Sequence, residues 1–278
     1  MIEARIGKFG VRDGTQLHYE HWTYPDFKGV IVFVHGVGDH SGRYGPFVNY
    51  FTKKGYKVCL FDQRGHGKSP GDRVHVERFE TLLDDLDQYV LFSREGIPKE
   101  CPWYLVGHSL GGQIILNYLA RRPSLFHAAC ASSPNLEVAL TMPQWQEKLG
   151  RIAGNVWPKM KLTGFVDSVL LSHDSKVVKA FDKDPLVSAF VTIKMGEEIL
   201  KNIPAVYSLC TVIHTPLLLQ HGSADHVCSP EGTKRFFKKL VLAQKELKIY
   251  EGMFHELFNE IAKERVFADV HSWFQKFV

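Results

Sequence analysis

At 278 residues the chain is long enough for one large domain with a sizeable core, and 45% hydrophobic with 23% charged residues is the composition of an ordinary soluble globular protein. A formal net charge of +4, with Lys and Arg scattered and no basic run interleaved with aromatics, excludes the electrostatic footprint of a nucleic-acid binder. Met1 to Lys8 lacks the apolar core of a signal peptide, no apolar run nears the roughly 18 residues of a spanning helix, and five dispersed cysteines without a C-x-x-C pair support neither zinc nor a thioredoxin-like site, so the expected compartment is a reducing cytoplasm.

Strand-like and helix-like segments alternate along the chain, which predicts an α/β fold with a mostly parallel central sheet and helices on both faces. Residues 4–9 and 16–22 read as an opening hairpin around Arg12-Asp13-Gly14-Thr15. Val30 to Val34 is a continuous apolar strand; Tyr44, Val48 and Phe51 then repeat at helical spacing, and Gly55 supplies the stop. Lys57 to Phe61 is the next strand, and Phe79 to Ser93 is an amphipathic helix with Leu82, Leu83, Leu86 and Val90 on one face. Trp103 to Val106 reads as a buried strand and Gly112 to Ala120 as a helix, with Gly107-His108-Ser109-Leu110-Gly111 squeezed between them. His127 to Ala131 is a further strand. From Asn135 to Ile203 the alternation breaks, with helical patterning and no convincing strand. Val138, Met142, Trp145, Leu149, Ile152 and Val156 form an apolar stripe, interrupted by Pro143 and ended by Pro158. Within a single domain spanning 1–278, the insertion 135–203 is expected to be a helical cap over the sheet. Pro216 to Gln220 (strand), Pro230 to Leu240 (helix), Glu246 to Tyr250 (strand) and Ile261 to Phe277 (helix) close the chain.

A serine in a G-x-S-x-G frame between a strand and a helix is a nucleophile elbow: the turn is tight, glycines flank it, and the hydroxyl is lifted above the sheet. A serine hydroxyl is a poor nucleophile at neutral pH, so Ser109 needs a base, and the base needs an orienter. In this architecture both follow the serine, acid first, in loops past the carboxyl ends of later strands. Leu217-Leu218-Leu219 runs into Gln220-His221-Gly222-Ser223-Ala224-Asp225, and Leu247-Lys248-Ile249-Tyr250 runs into Glu251-Gly252-Met253-Phe254-His255, which selects Asp225 and His255. His35, His66, His221 and His226 also lie near strand ends, but each puts the base before the serine or crowds the acid loop; His108 adjoins Ser109 on a sharp turn that points its ring elsewhere. Asp62 precedes the serine and reads as a loop-organising carboxylate bound to Arg64 or to backbone amides. An oxyanion hole needs two backbone donors: the amide of Leu110, and the amide of Val37 in the loop His35-Gly36-Val37-Gly38.

The runs His35–Tyr44, Phe61–Ser69 and Gly107–Gly112, continued by Gln220–Asp225, Tyr250–Glu256 and Asp184-Pro185-Leu186-Val187, resemble the monoacylglycerol lipase and lysophospholipase-like branch of the α/β-hydrolases, in order over nearly the whole chain. The resemblance implies the α/β-hydrolase fold, the triad Ser109, Asp225 and His255, oxyanion donors Val37 and Leu110, a lipid-contacting cap and a polar end for a glycerol moiety. It also implies that Asp39 and Arg43 help bind the polar head. The family's usual acid there is Glu, so Asp39 is shorter by one methylene; Val37 replaces the usual alanine, in a role that uses only backbone. Read from the residues alone, Asp39 and Arg43 are a helix N-cap region and a surface ion pair worth under about 1 kcal/mol.

The expected activity is that of a serine hydrolase, without cofactor or metal, acting on lipid esters of medium or long acyl chains, foremost monoacylglycerols. A lysophospholipase or broad carboxylesterase is the nearest alternative, and an aminopeptidase or a non-catalytic binding scaffold is more remote. Dehalogenases and epoxide hydrolases of this fold need an aspartate where position 109 is serine. If the apolar stripe faces lipid, the cap makes transient contact with a membrane or micelle surface.

Overall fold

The computed structural model describes residues 2–122, 125–139, 156–164 and 166–278. Its centre is an eight-stranded sheet. β1 (Glu3–Gly10) and β2 (Gln16–Thr23) form the expected antiparallel hairpin, and β2 pairs antiparallel with β4 (Tyr56–Phe61). The rest is parallel: β3 (Gly29–Val34), β5 (Trp103–His108) and β6 (Ala128–Ser132), then, from late in the chain, β9 (Leu217–Gly222) and β10 (Lys245–Tyr250). The spatial order is β1-β2-β4-β3-β5-β6-β9-β10.

β3, β5, β6 and β9 are buried along their whole length because helices cover both faces of the sheet. Side chains alternate between the faces. Val30, Val32 and Val34 point into one core, shared with α2 (Glu80–Ser93), α3 (Leu110–Arg121) and α6 (Pro230–Lys239). Ile31 and Phe33 point into the other, shared with α1 (Gly45–Lys53) and α7 (Lys263–Phe274). Burying each such side chain contributes about 1.5–3 kcal/mol. Because β3 and β5 are buried on both sides, their residues form near-continuous apolar runs.

Between β6 and β9 lie the short strands β7 (Lys161–Thr163) and β8 (Phe190–Thr192), paired antiparallel, and the helices α4 (Ser175–Lys183) and α5 (Ile193–Ser208). The sequence reading of this segment as strandless is corrected: three-residue strands are too short to leave an alternation signal. The boundary drawn at Ile203 falls inside α5, which continues through Pro204 to Ser208. Of the apolar stripe, Met142, Trp145, Leu149 and Ile152, with Pro143, lie outside the described residues. Its two ends differ. Val138 is half-buried and bridged to Cys228, whereas Val156 is 59% exposed.

All parallel strands end at one edge of the sheet, so the loops that follow them converge there. The segment between β6 and β9 is tied to that edge at several points. Ser188 N donates to Gly38 O (2.8 Å), Glu256 N to Leu171 O (2.8 Å) and Thr192 N to Val74 O (3.2 Å), and His40 Nε2 meets Asp184 Oδ2 at 3.0 Å.

Candidate active site

Ser109 sits between β5 and α3 with φ 55° and ψ −117°, a conformation that L residues rarely adopt. The surroundings enforce it. Ser109 N donates to Ser132 O at the end of β6 (3.0 Å), and Asn135 N donates to Ser109 O (3.1 Å). The flanking glycines are required by contact: a Cβ on Gly107 would lie 2.4 Å from Gly111 O, and one on Gly111 would lie 2.1 Å from Val34 O.

His255 Nε2 lies 2.9 Å from Ser109 Oγ, and His255 Nδ1 lies 2.7 Å from Asp225 Oδ2. All three side chains are buried. Nδ1–H donates to the carboxylate and keeps its hydrogen, which leaves the Nε2 lone pair to accept from the serine hydroxyl. Asp225 is held by its own loop, since Oδ1 accepts from Val227 N (2.8 Å) and Cys228 N (2.9 Å). Burial opposes ionisation of this carboxyl, but the adjoining His255 and the hydrogen bonds from His221 and His255 hold it far below the usual carboxylate range.

His35, His66 and His108 part from His255 in their electrostatics. Burial pushes down the imidazoles of His35, His66 and His108, the last two to about 3, and they are neutral at physiological pH. Burial acts on His255 in the same direction, but Asp225, then Glu256 and Asp39, outweigh it and raise its pKa above the ordinary 6.5. His35 instead braces the loop after β3: Nδ1–H donates to Gly36 O (2.8 Å), and Nε2 accepts from Gln63 N (3.0 Å). Asp62 bonds to backbone amides, from Ser41 N and Lys68 N at 2.8 Å each, while Arg64 turns to Asp85.

The loop His35–Gly38 abuts the serine, as a Cβ on Gly36 would lie 3.2 Å from Ser109 Cβ. Leu110 N is the first amide of α3, directly after Ser109. Among the described residues, neither the Val37 nor the Leu110 amide has a hydrogen-bond partner. Two free N–H groups beside the hydroxyl suit an oxyanion formed there.

Asp39 and Arg43 form an ion pair (3.1 Å) between side chains only 5% and 8% exposed, in contrast to the surface pair that their sequence suggested. Asp39 Oδ1 also accepts from His40 N (2.7 Å) and Oδ2 from Tyr44 Oη (2.5 Å). Arg43 forks onto Glu256 through Nη1–Oε1 (2.8 Å) and Nη2–Oε2 (2.7 Å), and its guanidinium lies 4.8 Å from the Phe181 ring centroid. Against the cost of burial, Arg43 and the bonds around it hold the Asp39 carboxyl well below its ordinary range. Glu256 was missed from sequence as part of this cluster, although it follows His255 directly. His221 was weighed only as a rival base, and the structure instead places its Nε2 3.0 Å from Asp225 Oδ2.

Comparison with known proteins follows the same lines. The family model described as serine aminopeptidase, S33, matches residues 25–262. An uncharacterised abhydrolase domain-containing protein of Dictyostelium discoideum is 32% identical over 99% of this chain, although the chain spans only 29% of that protein. The monoglyceride lipase of Rattus norvegicus is 32% identical over 94% of this chain and 87% of its own length. Among solved structures, the monoacylglycerol lipase of Paleococcus ferrophilus superposes with a TM-score of 0.83 at 31% identity, covering 99% of this chain and all of that one.

Proposed function

The chain belongs to the serine aminopeptidase S33 family of α/β-hydrolases, in the branch of the monoglyceride lipases, and on that premise we propose that it hydrolyses carboxylic esters of medium or long acyl chains, with monoacylglycerols as its substrates. The hydrogen-bonded chain Ser109–His255–Asp225 carries the reading. Ser109 Oγ attacks the ester carbonyl as its proton passes to His255 Nε2, and Asp225 stabilises the imidazolium. The amides of Val37 and Leu110 receive the oxyanion. Collapse expels glycerol, protonated by His255, and leaves an acyl-serine. Water, activated by His255, then releases the fatty acid. Each well-placed oxyanion donor contributes about 3–4 kcal/mol to such a step.

The substrate's polar head would meet the Asp39–Arg43 end of the site, where Tyr44 and Glu256 hold both side chains in place. The same pairing favours an ester over an aminoacyl substrate. Of the carboxylates at this end, Asp39 and Glu256 are committed to Arg43 and Asp184 to His40, so none of these three is left unpaired for an ammonium group. The residues between β6 and β9 would act as the cap. Trp157 (63% exposed), Met160 and Leu162 stand out of it beside Lys159 and Lys161, which fits brief docking on a lipid surface.

The test is a hydrolysis panel of monoacylglycerols, a triacylglycerol, lysophosphatidylcholine, an aminoacyl amide and short p-nitrophenyl esters, with Ser109→Ala as control. We expect monoacylglycerol to be turned over best and Ser109→Ala to be inactive. Turnover retained in Ser109→Ala would overturn the mechanism, and a clear preference for lysophosphatidylcholine or the amide would overturn the substrate.

A further inference from the structure

Asp225 Oδ2 is shared. It accepts from His255 Nδ1 at 2.7 Å, and a second imidazole, that of His221, approaches it with Nε2 at 3.0 Å. His221 is the penultimate residue of β9, four residues before Asp225, and both side chains are fully buried. The tautomer of His221 follows from its neighbours. Nε2 faces two oxygens, Asp225 Oδ2 and Cys228 O (3.0 Å), so Nε2 must carry a hydrogen. Nδ1 lies 2.7 Å from Thr233 Oγ1 on α6, whose hydroxyl donates to it. The ring therefore sits in a closed set of partners, with its donor directed at the oxygen that also orients His255.

We propose that His221 is a positioning residue for the triad: its Nε2–H holds Asp225 Oδ2 at His255 Nδ1 and draws off part of that oxygen's charge, which sets the pH at which His255 becomes a base. The inference rests on the triad reading above. Its physical basis is that a carboxylate oxygen accepting two hydrogen bonds is a weaker acceptor for each. With His221 gone, Oδ2 concentrates its charge on His255 and favours the imidazolium. The other groups facing His255 stay in place: Glu256 on its own loop, Asp39 after β3, and neutral His108, whose ring centroid lies 4.9 Å away beside Ser109. The carboxylate also loses one of the four donors that fix its orientation, while no contact to substrate is lost.

The test uses His221→Leu, His221→Gln and Thr233→Val in the full chain. Gln retains a side-chain N–H near the position of Nε2. Thr233→Val removes only the hydroxyl that fixes the tautomer. Active fraction is titrated with a fluorophosphonate, and kcat and KM are measured across pH on a soluble ester. For His221→Leu we expect the acid limb of kcat/KM to move up by about one pH unit, the scale of one hydrogen bond to a charged group. Its plateau kcat should fall about tenfold with KM nearly unchanged. Gln should restore most of both, and Thr233→Val should move the limb in the same direction by less. An unmoved or lowered acid limb in His221→Leu overturns the proposal, as does Gln behaving like Leu, which would mark a packing role. If Ser109→Ala is inactive while these variants titrate like wild type, the triad stands and the role of His221 falls.

Discussion

Gly111→Ala is the sharpest test of how the site is built. Gly111 follows the Leu110 amide at the start of α3, and its backbone presses on the end of β3. The added methyl would lie 2.1 Å from Val34 O and 2.6 Å from His35 O, which are main-chain atoms and cannot swing away. A relaxed carbon–oxygen contact is about 3.3–3.6 Å, so the two segments would have to part by more than about 1 Å. Those segments carry the two amides assigned to the oxyanion, Leu110 on one and Val37 three residues beyond Val34 on the other. A displacement of that size in a reacting geometry costs about 100-fold in rate, and losing a donor outright costs about 100- to 1,000-fold. Overpacking should also cost about 1–3 kcal/mol of stability, which leaves most of the protein folded. The assay is kcat for a soluble ester corrected by active-site titration, with the melting temperature measured alongside. Gly196→Ala in α5 is the control. Its nearest neighbour would be Val191 Cγ1 at 4.0 Å, an ordinary contact, and alanine should add about 0.5–1 kcal/mol to the helix without changing kcat. If Gly111→Ala keeps kcat within about threefold of wild type, the oxyanion assignment is refuted, because the predicted displacement exceeds what such a site tolerates.

Three further outcomes follow from other parts of the molecule. Because Asp225 raises the pKa of His255 above 6.5, and only the neutral ring can take the Ser109 proton, kcat/KM should fall with decreasing pH through a midpoint above 6.5; a pH–rate profile with its midpoint below that value contradicts the stated environment. Glu256→Gln should lower stability by about 3 kcal/mol, because it removes the charge opposite a buried guanidinium, and denaturant unfolding measures it; a change under about 0.5 kcal/mol would show that Asp39 and Phe181 hold Arg43 unaided. Trp157→Glu should leave turnover of a water-soluble ester unchanged and lower turnover of vesicle-borne monoacylglycerol by about tenfold, equivalent to about 1.4 kcal/mol of lost interfacial binding; equal rates on vesicles would refute docking through this surface.

The parts of the molecule that were legible in the sequence are those whose geometry is local. A strand buried on both faces leaves an apolar run, as Val30 to Val34 does, and an elbow leaves glycines that contact forces on it. The places of Asp225 and His255 follow from strand ends that the run pattern already marks. The interactions that sequence reading missed join distant residues whose spacing carries no period. Arg43 and Glu256 are 213 residues apart, and His40 and Asp184 are 144 apart. Nothing in either local segment says which charge faces which, so Asp39 and Arg43 read as a surface pair worth under about 1 kcal/mol, whereas burial makes breaking such a pair cost about 3–5 kcal/mol. His221 shows the same limit at shorter range. Four residues before Asp225, it had the spacing to touch the acid, but four residues across the end of a strand imply contact only if the loop turns back. Here the loop does turn back, because Val227 N and Cys228 N close on Asp225 Oδ1 and carry the chain around the carboxylate. The turn that fixes the Asp225 carboxylate therefore also brings a second imidazole to it. The approach of Asp225 to His255 can be anticipated from its place after β9, but its contact with His221 is one that only the folded loop creates.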